Sequence, residues 1–432
     1  MGSFIFVVIK VYILYNGNIE EMTSNIRGNI MKKNIKVLGT LLLTAALLAG
    51  CKGNEIPKED EISKEVEARE DVEVPTIITE LDYLKQPSTN WAAYRKTIPV
   101  KGIYMTGNTL GYKSRFYDLI DLIDRTELNA VVIDVKDDYG TLTYESNIPM
   151  VKELEADKVV KDKDFVQSMN LLAEKDIYPI ARIVTFKDRT AASKRPDLAV
   201  KTKDGKIWRD NKGDAWLNPY NRESWEYPIQ IAEEAALMGF KEIQFDYVRF
   251  PTDGKRDLID YGDSANEPMR DAIAEFLRYA RERLAPYGVY VSADIFGLVT
   301  TVEDDMRLGQ HLETLATTVD FLCPMVYPSH YALGSYGVKY PDADPYTIVK
   351  TSMSVAKERI DNLETPEKKA VLRPWLQDFS APWLKKDYGP YYTPYGPEQI
   401  KAQKQATYDS GLDQWILWNA GNKYTEGGLE KQ

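Results

Sequence analysis

The chain has 432 residues, 44% of them hydrophobic, and a formal net charge of −11. That supplies a sizeable core, and α/β barrels routinely use roughly 200–250 residues as one domain. The acidic balance argues against a nucleic-acid partner, which needs a basic footprint. With only His311 and His330 present, a His-ligated zinc site is disfavoured.

The first elements in chain order are not fold. In residues 1–30 the run FIFVVIKVYILY is broken by Lys10 and too short to span a membrane. The region reads as a start placed too early, with Met31 the true start. Residues 31–50 read as a signal peptide: Lys32, Lys33 and Lys36 form a positive stretch, Val37 to Leu48 an apolar one, and small residues precede Cys51. Leu48-Ala49-Gly50-Cys51 matches the bacterial lipoprotein signal, in which Cys51 is lipidated and becomes the new N-terminus. The expectation is an extracytoplasmic protein, lipid-anchored to the cell membrane. Residues 51–75 are charged and poor in aromatics, as a solvated tether would be. Residues 76–98 form a lead-in. With Cys51 acylated, Cys323 is the remaining thiol, so no internal disulfide is expected.

From residue 99 to 425 short apolar runs alternate with amphipathic stretches. KGIYMTG (101–107) precedes RFYDLIDLIDRTEL, and AVVIDVKDD (130–138) precedes DFVQSMNLLAEK. YPIARIVTF (178–186) leads through a polar segment to ESWEYPIQIAEEAALMG, and EIQFDYVRFP (242–251) leads to EPMRDAIAEFLRYARERL. VYVSADIFG (289–297) is followed by EDDMRLGQHLETLAT, and VDFLCPMVYP (319–328) by PYTIVKTSMSVAKERI. VLRPWLQDF (371–379) precedes PEQIKAQKQATYDSG, QWILWNAGN (414–422) is the last strand, and 426–432 is a tail. Near-continuous apolar strands alternating with helices predict a parallel sheet covered by helices. Eight such units predict a (β/α)8 TIM barrel rather than an open doubly wound sheet, whose first turn would be expected to carry a Gly-rich phosphate loop. Segment 197–219 interrupts the third unit. Its Asp204-Gly205 predicts a small β-hairpin insertion after the third strand, with Trp208 and Trp216 as packing anchors.

Catalytic groups in such a barrel come from the C-terminal ends of the strands. Read at period 2, those ends carry Asp134, Lys136 and Asp138 on one face of the second strand, and Arg182 on the third. The fourth carries Gln244 and Asp246 on one face, with Arg249 at its exit; the fifth carries Asp294. Beyond them come Tyr327, Trp375, Gln377 and Trp418. Tyr104, Tyr139, Tyr247 and Phe296 join Tyr327, Trp375 and Trp418 as an aromatic collar suited to stacking on sugar rings. Two carboxylates on adjacent strands suit glycoside hydrolysis, in which one is ionised and the other protonated. Asp246, near Lys136, Arg182 or Arg249, is the candidate for the ionised partner. Asp294, beside Ile295 and Phe296, is the candidate acid, and the two assignments are interchangeable at this point. Tyr104, Asp134, Lys136, Asp138, Arg182, Gln244, Arg249, Tyr327, Trp375, Gln377 and Trp418 are the candidate substrate-binding residues. The bland explanation of the same residues is an ion-pair network that closes the barrel top.

KGIYMTG, AVVIDVKDDYG, ARIVTF, KDGKIWRD, QFDYVRFP, ADIFG, PMVYPSHY, RPWLQDF and QWILWNA resemble an uncharacterised bacterial family of glycosyl hydrolase domains related to the TIM-barrel glycosidases. The resemblance covers roughly residues 99 to 425 and implies a barrel that breaks down carbohydrate. Many retaining enzymes of that superfamily place an Asp nucleophile at the end of strand four, where this chain has Asp246. They often carry Arg two residues earlier, where this chain has Gln244, and usually a Glu acid on strand five, where it has Asp294.

The leading expectation is a monomeric glycosidase acting on a polysaccharide, with no cofactor. One alternative is a non-catalytic glycan-binding barrel. Another is a metal-dependent hydrolase using Asp134, Asp137 and Asp138 with Ca²⁺ or Mg²⁺.

Overall fold

The apolar runs form eight parallel strands in the computed structural model, which describes residues 98–263 and 265–432. The regions 1–30 and 31–50, Cys51, the tether and the lead-in through residue 97 lie outside the described residues. The strands are β1 (Lys101–Met105), β2 (Ala130–Lys136), β3 (Tyr178–Val184), β4 (Glu242–Asp246), β5 (Tyr290–Phe296), β6 (Phe321–Met325), β7 (Val371–Leu372 and Trp375–Gln377) and β8 (Trp415–Trp418). Each pairs in parallel with the next, and β8 pairs with β1, so the sheet closes on itself. The break in β7 contains Pro374, which has no N–H to give the ladder.

Helices α1 (Lys113–Asp124), α2 (Phe165–Glu174), α3 (Glu226–Leu237), α4 (Met269–Leu284), α5 (Leu312–Leu315), α6 (Pro345–Asp361) and α7 (Pro397–Asp409) fill the connections. Both faces of the strands are buried, which is why the runs read as apolar rather than alternating. Outward-facing Val131, Ile133, Val135, Ile243, Phe245 and Ile295 belong to the core between sheet and helices, with Ala272, Ile273, Phe276, Leu277 and Ala280 on the buried face of α4. Inward-facing Val132, Ile180, Tyr290, Phe321 and Trp375 belong to a separate cluster inside the barrel.

The architecture is the expected (β/α)8 TIM barrel, including its insertion. Gly205 (φ 79°) closes a turn by donating to the Thr202 carbonyl, and Lys201 bridges Ile207 beyond it. Lys201–Thr202 also pairs antiparallel with Ile259–Asp260 from the loop after β4. Trp208 and Trp216 are buried anchors of this excursion; their indoles donate to the Lys255 carbonyl and to Asp210.

One helix differs from expectation. The stretch 303–317 yields only the single turn α5, because Met306 and Arg307 adopt left-handed backbone (φ 52° and 55°) ahead of Gly309. The non-helical segment puts Gln310 under β5, where its side chain accepts from Phe296 N–H and donates to the carbonyls of Asp294 and Val248.

Candidate active site

Polar residues occupy the barrel interior in tiers. Deepest, Arg373 donates to Glu242 at 2.8 and 3.0 Å, with its guanidinium 3.9 Å from the Phe321 ring centre. Above it the Gln244 amide donates to Cys323 Sγ at 3.2 Å. Strand β4 thus sends Glu242, Gln244 and Asp246 inward, which explains the polar alternation in EIQFD. Burial raises the Cys323 thiol well above its ordinary value, so this thiol is inert packing.

The third tier is organised by Arg182 from β3. Its Nη1 meets Asp134 at 2.6 Å, its Nη2 meets Asp246 at 2.5 Å and Asp138 at 3.1 Å, and its Nε donates to Asp246 at 2.9 Å. The Tyr104 hydroxyl donates to the other oxygen of Asp134, and its ring stacks on Trp418 with centres 4.1 Å apart. Burial raises Asp134 above the usual carboxylate range, against the pull of Arg182 and Tyr104.

Asp246 and Asp294 end neighbouring strands whose register sets Gln244 opposite Ser292 and Phe245 opposite Ala293. Both line one cavity of about 450 Å³ at the C-terminal mouth of the barrel. Their surroundings differ. Asp246 Oδ2 takes two bonds from Arg182, and Oδ1 accepts from the Tyr247 N–H at 2.6 Å. Asp294 is 2% exposed and meets the Trp375 indole N–H at 2.7 Å. Burial first, then the charge of Asp246, raises Asp294 well above the usual carboxylate range, outweighing the Trp375 bond and the charge of Arg182.

The cavity brings together Asp138, Arg182, Asp246, Arg249, Asp294, Tyr327, Trp375 and Trp418 from the residues expected at the mouth. Tyr104 and Asp134 sit behind this layer and hold it through Trp418 and Arg182, while Gln244 lies deeper, on Cys323. Lys136 is a correction. It is fully buried, pairs with Asp188 at 2.6 Å, and sits 5.4 Å from the ring centre of Tyr227, in the core outside the barrel. A bulge between Asp134 and Lys136 shifts the register and breaks the alternation that had put both on one face. Gln377 is a second correction: its amide bonds Asp342, the Phe379 carbonyl and the Ser329 N–H, so it pins the loops after β6 and β7.

In the aromatic collar, Tyr247, Phe296, Tyr327, Trp375 and Trp418 line the cavity. Tyr139 is 59% exposed and pairs with Arg189 away from it. The three aspartates considered for a metal diverge. Asp137 turns to Lys161 at 2.6 Å and to Thr141, while Asp134 and Asp138 are tied to Arg182. Among the described residues no group of His, Cys, Asp and Glu is arranged to hold a metal ion.

Sequence reasoning missed several lining residues, among them Lys212, Leu298, Met325 and Tyr331. Lys212 reaches the mouth only because the insertion folds back over it, which strand periodicity does not encode. His330 also lines the cavity, and burial lowers its imidazole below the ordinary value.

No curated protein matches the chain. Among solved structures, it is similar to a hypothetical protein from Ruminiclostridium thermocellum at 44% identity, covering 44% of this chain and 96% of that one, with a TM-score of 0.41. It is also similar to the PgaB (BpsB) glycoside hydrolase domain from Bordetella bronchiseptica at 13% identity, covering 75% of this chain and 94% of that one, with a TM-score of 0.54, a likeness of fold. Residues 102–424 match the family described as "Putative glycosyl hydrolase domain", and the chain belongs to that family.

Proposed function

We propose that the barrel hydrolyses glycosidic bonds in a polysaccharide, with Asp294 as general acid and Asp246 as nucleophile or general base. The observation that carries this reading is the contrast between the two carboxyls facing one cavity. Asp246 is ion-paired with Arg182, while Asp294 is pushed up by burial and by Asp246 itself. A carboxyl pushed up by burial beside one held in an ion pair suits the division of labour between acid and base. Asp294 protonates the leaving oxygen, and Asp246 attacks the anomeric carbon or activates a water. Carboxyl groups about 5–5.5 Å apart go with retention and about 6.5–9.5 Å with inversion. Trp375, Trp418 and Tyr327 give apolar faces for the sugar ring.

The test is release of reducing ends from a panel of bacterial and plant polysaccharides. Wild-type protein is expected to cleave at least one, and Asp246→Asn and Asp294→Asn to lose that turnover while keeping the wild-type circular dichroism spectrum. Full turnover by either variant sinks the assignment.

A second reading, glycan binding without turnover, is favoured by one detail: both oxygens of Asp246 already accept protein hydrogen bonds. It predicts equal binding by wild type and Asp246→Asn with no reducing ends released by either.

The chain is further proposed to act outside the cytoplasm on a lipid anchor at Cys51, on the strength of the Leu48-Ala49-Gly50-Cys51 signal. Radiolabelled palmitate is expected to mark wild-type protein and not Cys51→Ala.

A further inference from the structure

Three buried arginines stand in or below the barrel mouth, and two of them meet carboxylates. Arg182 holds Asp134, Asp138 and Asp246, and Arg373 holds Glu242. Arg249 is the third. It is 7% exposed and lines the cavity, yet among the described residues it makes no ion pair. Among the described residues its bonds run from Nη1 alone, to the Phe250 carbonyl at 3.0 Å and the Thr252 hydroxyl at 3.3 Å.

Three aromatic rings enclose its guanidinium: Trp216, Tyr247 and Phe296, with centres at 5.0, 5.0 and 5.2 Å. Ring faces attract a cation but do not supply the hydrogen-bond acceptors that Nε and Nη2 lack. Neither nitrogen is sealed from solvent without a partner, as Nη2 of Arg373 is, so this edge of the fork is open to the cavity, where a ligand's oxygens can meet it. Burial pulls Arg249 below the ordinary arginine value, whereas Arg182 and Arg373 are raised by their carboxylates.

Two further features converge on the spot. Tyr247 holds a left-handed backbone (φ 48°), which non-glycine residues adopt at a cost, and its ring centre is 4.8 Å from Lys187 Nζ and 5.0 Å from the Arg249 guanidinium. Lys212 of the insertion lines the same cavity, also without an ion pair among the described residues.

We propose that the cavity takes a sugar bearing an anionic substituent, whose oxygens the open edge of the Arg249 guanidinium receives, with Lys212 adding charge from the rim. This deepens the glycoside hydrolase reading and rests on it. A uronate carboxylate and a sulfate ester both offer the paired oxygens a guanidinium fork matches.

The test is isothermal titration calorimetry of full-length protein with oligosaccharide pairs. Uronate oligosaccharides of several linkages are each compared with their carboxyl-reduced forms, and O-sulfated ones with their desulfated forms. At least one charged member is expected to bind about tenfold or more tightly than its neutral partner, the discrimination one charged hydrogen bond gives. The arm in which this occurs identifies the anion. Arg249→Met is expected to bring that ratio close to one, and Arg249→Lys to restore part of it. No preference for any charged member, or a preference that survives Arg249→Met, overturns the proposal. If Arg249→Met does not fold, an absent preference in wild type still overturns the proposal, and Arg249→Lys decides the assignment: a ratio equal to wild type overturns it, a reduced one supports it. Reducing-end release measured in parallel separates the two readings. Preference without turnover sinks hydrolysis and keeps the anion site; turnover of a neutral glycan without preference does the reverse.

Discussion

Arg182 grips Asp246 through two nitrogens, Nε at 2.9 Å and Nη2 at 2.5 Å, while its third nitrogen holds Asp134 at 2.6 Å. One guanidinium therefore fixes the candidate nucleophile and neutralises the carboxylate behind it. Removing it leaves two buried carboxylates unpaired. Arg182→Met is expected to cost roughly 3–5 kcal/mol of stability, the usual price of breaking a buried ion pair from one side, measured by urea unfolding. Adding Asp134→Asn to Arg182→Met is expected to recover part of that loss. If the double variant is no more stable than the single, Asp134 does not depend on Arg182.

Asp294 makes a prediction about stability and pH. An unfolded aspartate titrates near 3.9, and burial together with Asp246 raises the folded group well above that. Above about pH 4 the folded state therefore keeps a proton that the unfolded state releases, so stability falls as pH rises toward the folded value. Asn carries no such linkage. Asp294→Asn is expected to gain thermal stability relative to wild type, little at pH 4 and more at pH 7. A gap between the two melting temperatures that stays constant with pH would falsify the raised carboxyl.

The same residues mark what sequence could and could not show. The strands were legible because both faces are buried, and Asp246 and Asp294 because two-residue spacing sends them inward with Gln244 and Ser292. Lys136 was misplaced by the same rule, since the bulge after Asp134 turns Lys136 away from the barrel interior, while Asp138, beyond the strand end, comes back to Arg182. The expected helix after β5 failed at Met306 and Arg307, where left-handed backbone stops the helix and sends Gln310 to β5. The cation at Lys212 depends on a fold-back, and the missing partner of Arg249 can be seen only once every neighbouring carboxylate has been placed.

Trp375 tests the acid assignment. Its indole N–H is the hydrogen bond that acts against the upward push on Asp294. Trp375→Phe removes that bond and keeps an aromatic ring, so the protonated carboxyl is favoured further. The alkaline limb of the kcat/KM profile, which reports the acid in the free enzyme, is expected to move to higher pH, with a lower plateau from lost ring contact. A limb that stays put or moves lower assigns it to another group.

Lys136 and Asp188 supply the control for structure without chemistry. Their ion pair at 2.6 Å is fully buried outside the barrel, and Asp188 also caps the helical turn Arg189–Lys194 by accepting from the Ala191 N–H. Lys136→Met leaves that carboxylate buried without its cation, at an expected cost of roughly 3–5 kcal/mol. Lys136→Met with Asp188→Asn removes both charges and is expected to be more stable than Lys136→Met alone, since Asn still serves as a cap. Because the pair is not part of the cavity, turnover per folded molecule is expected to match wild type when assayed well below the melting temperature. A loss of turnover in the folded double variant, at unchanged KM, would instead give Lys136 a part in placing Asp134 and Arg182.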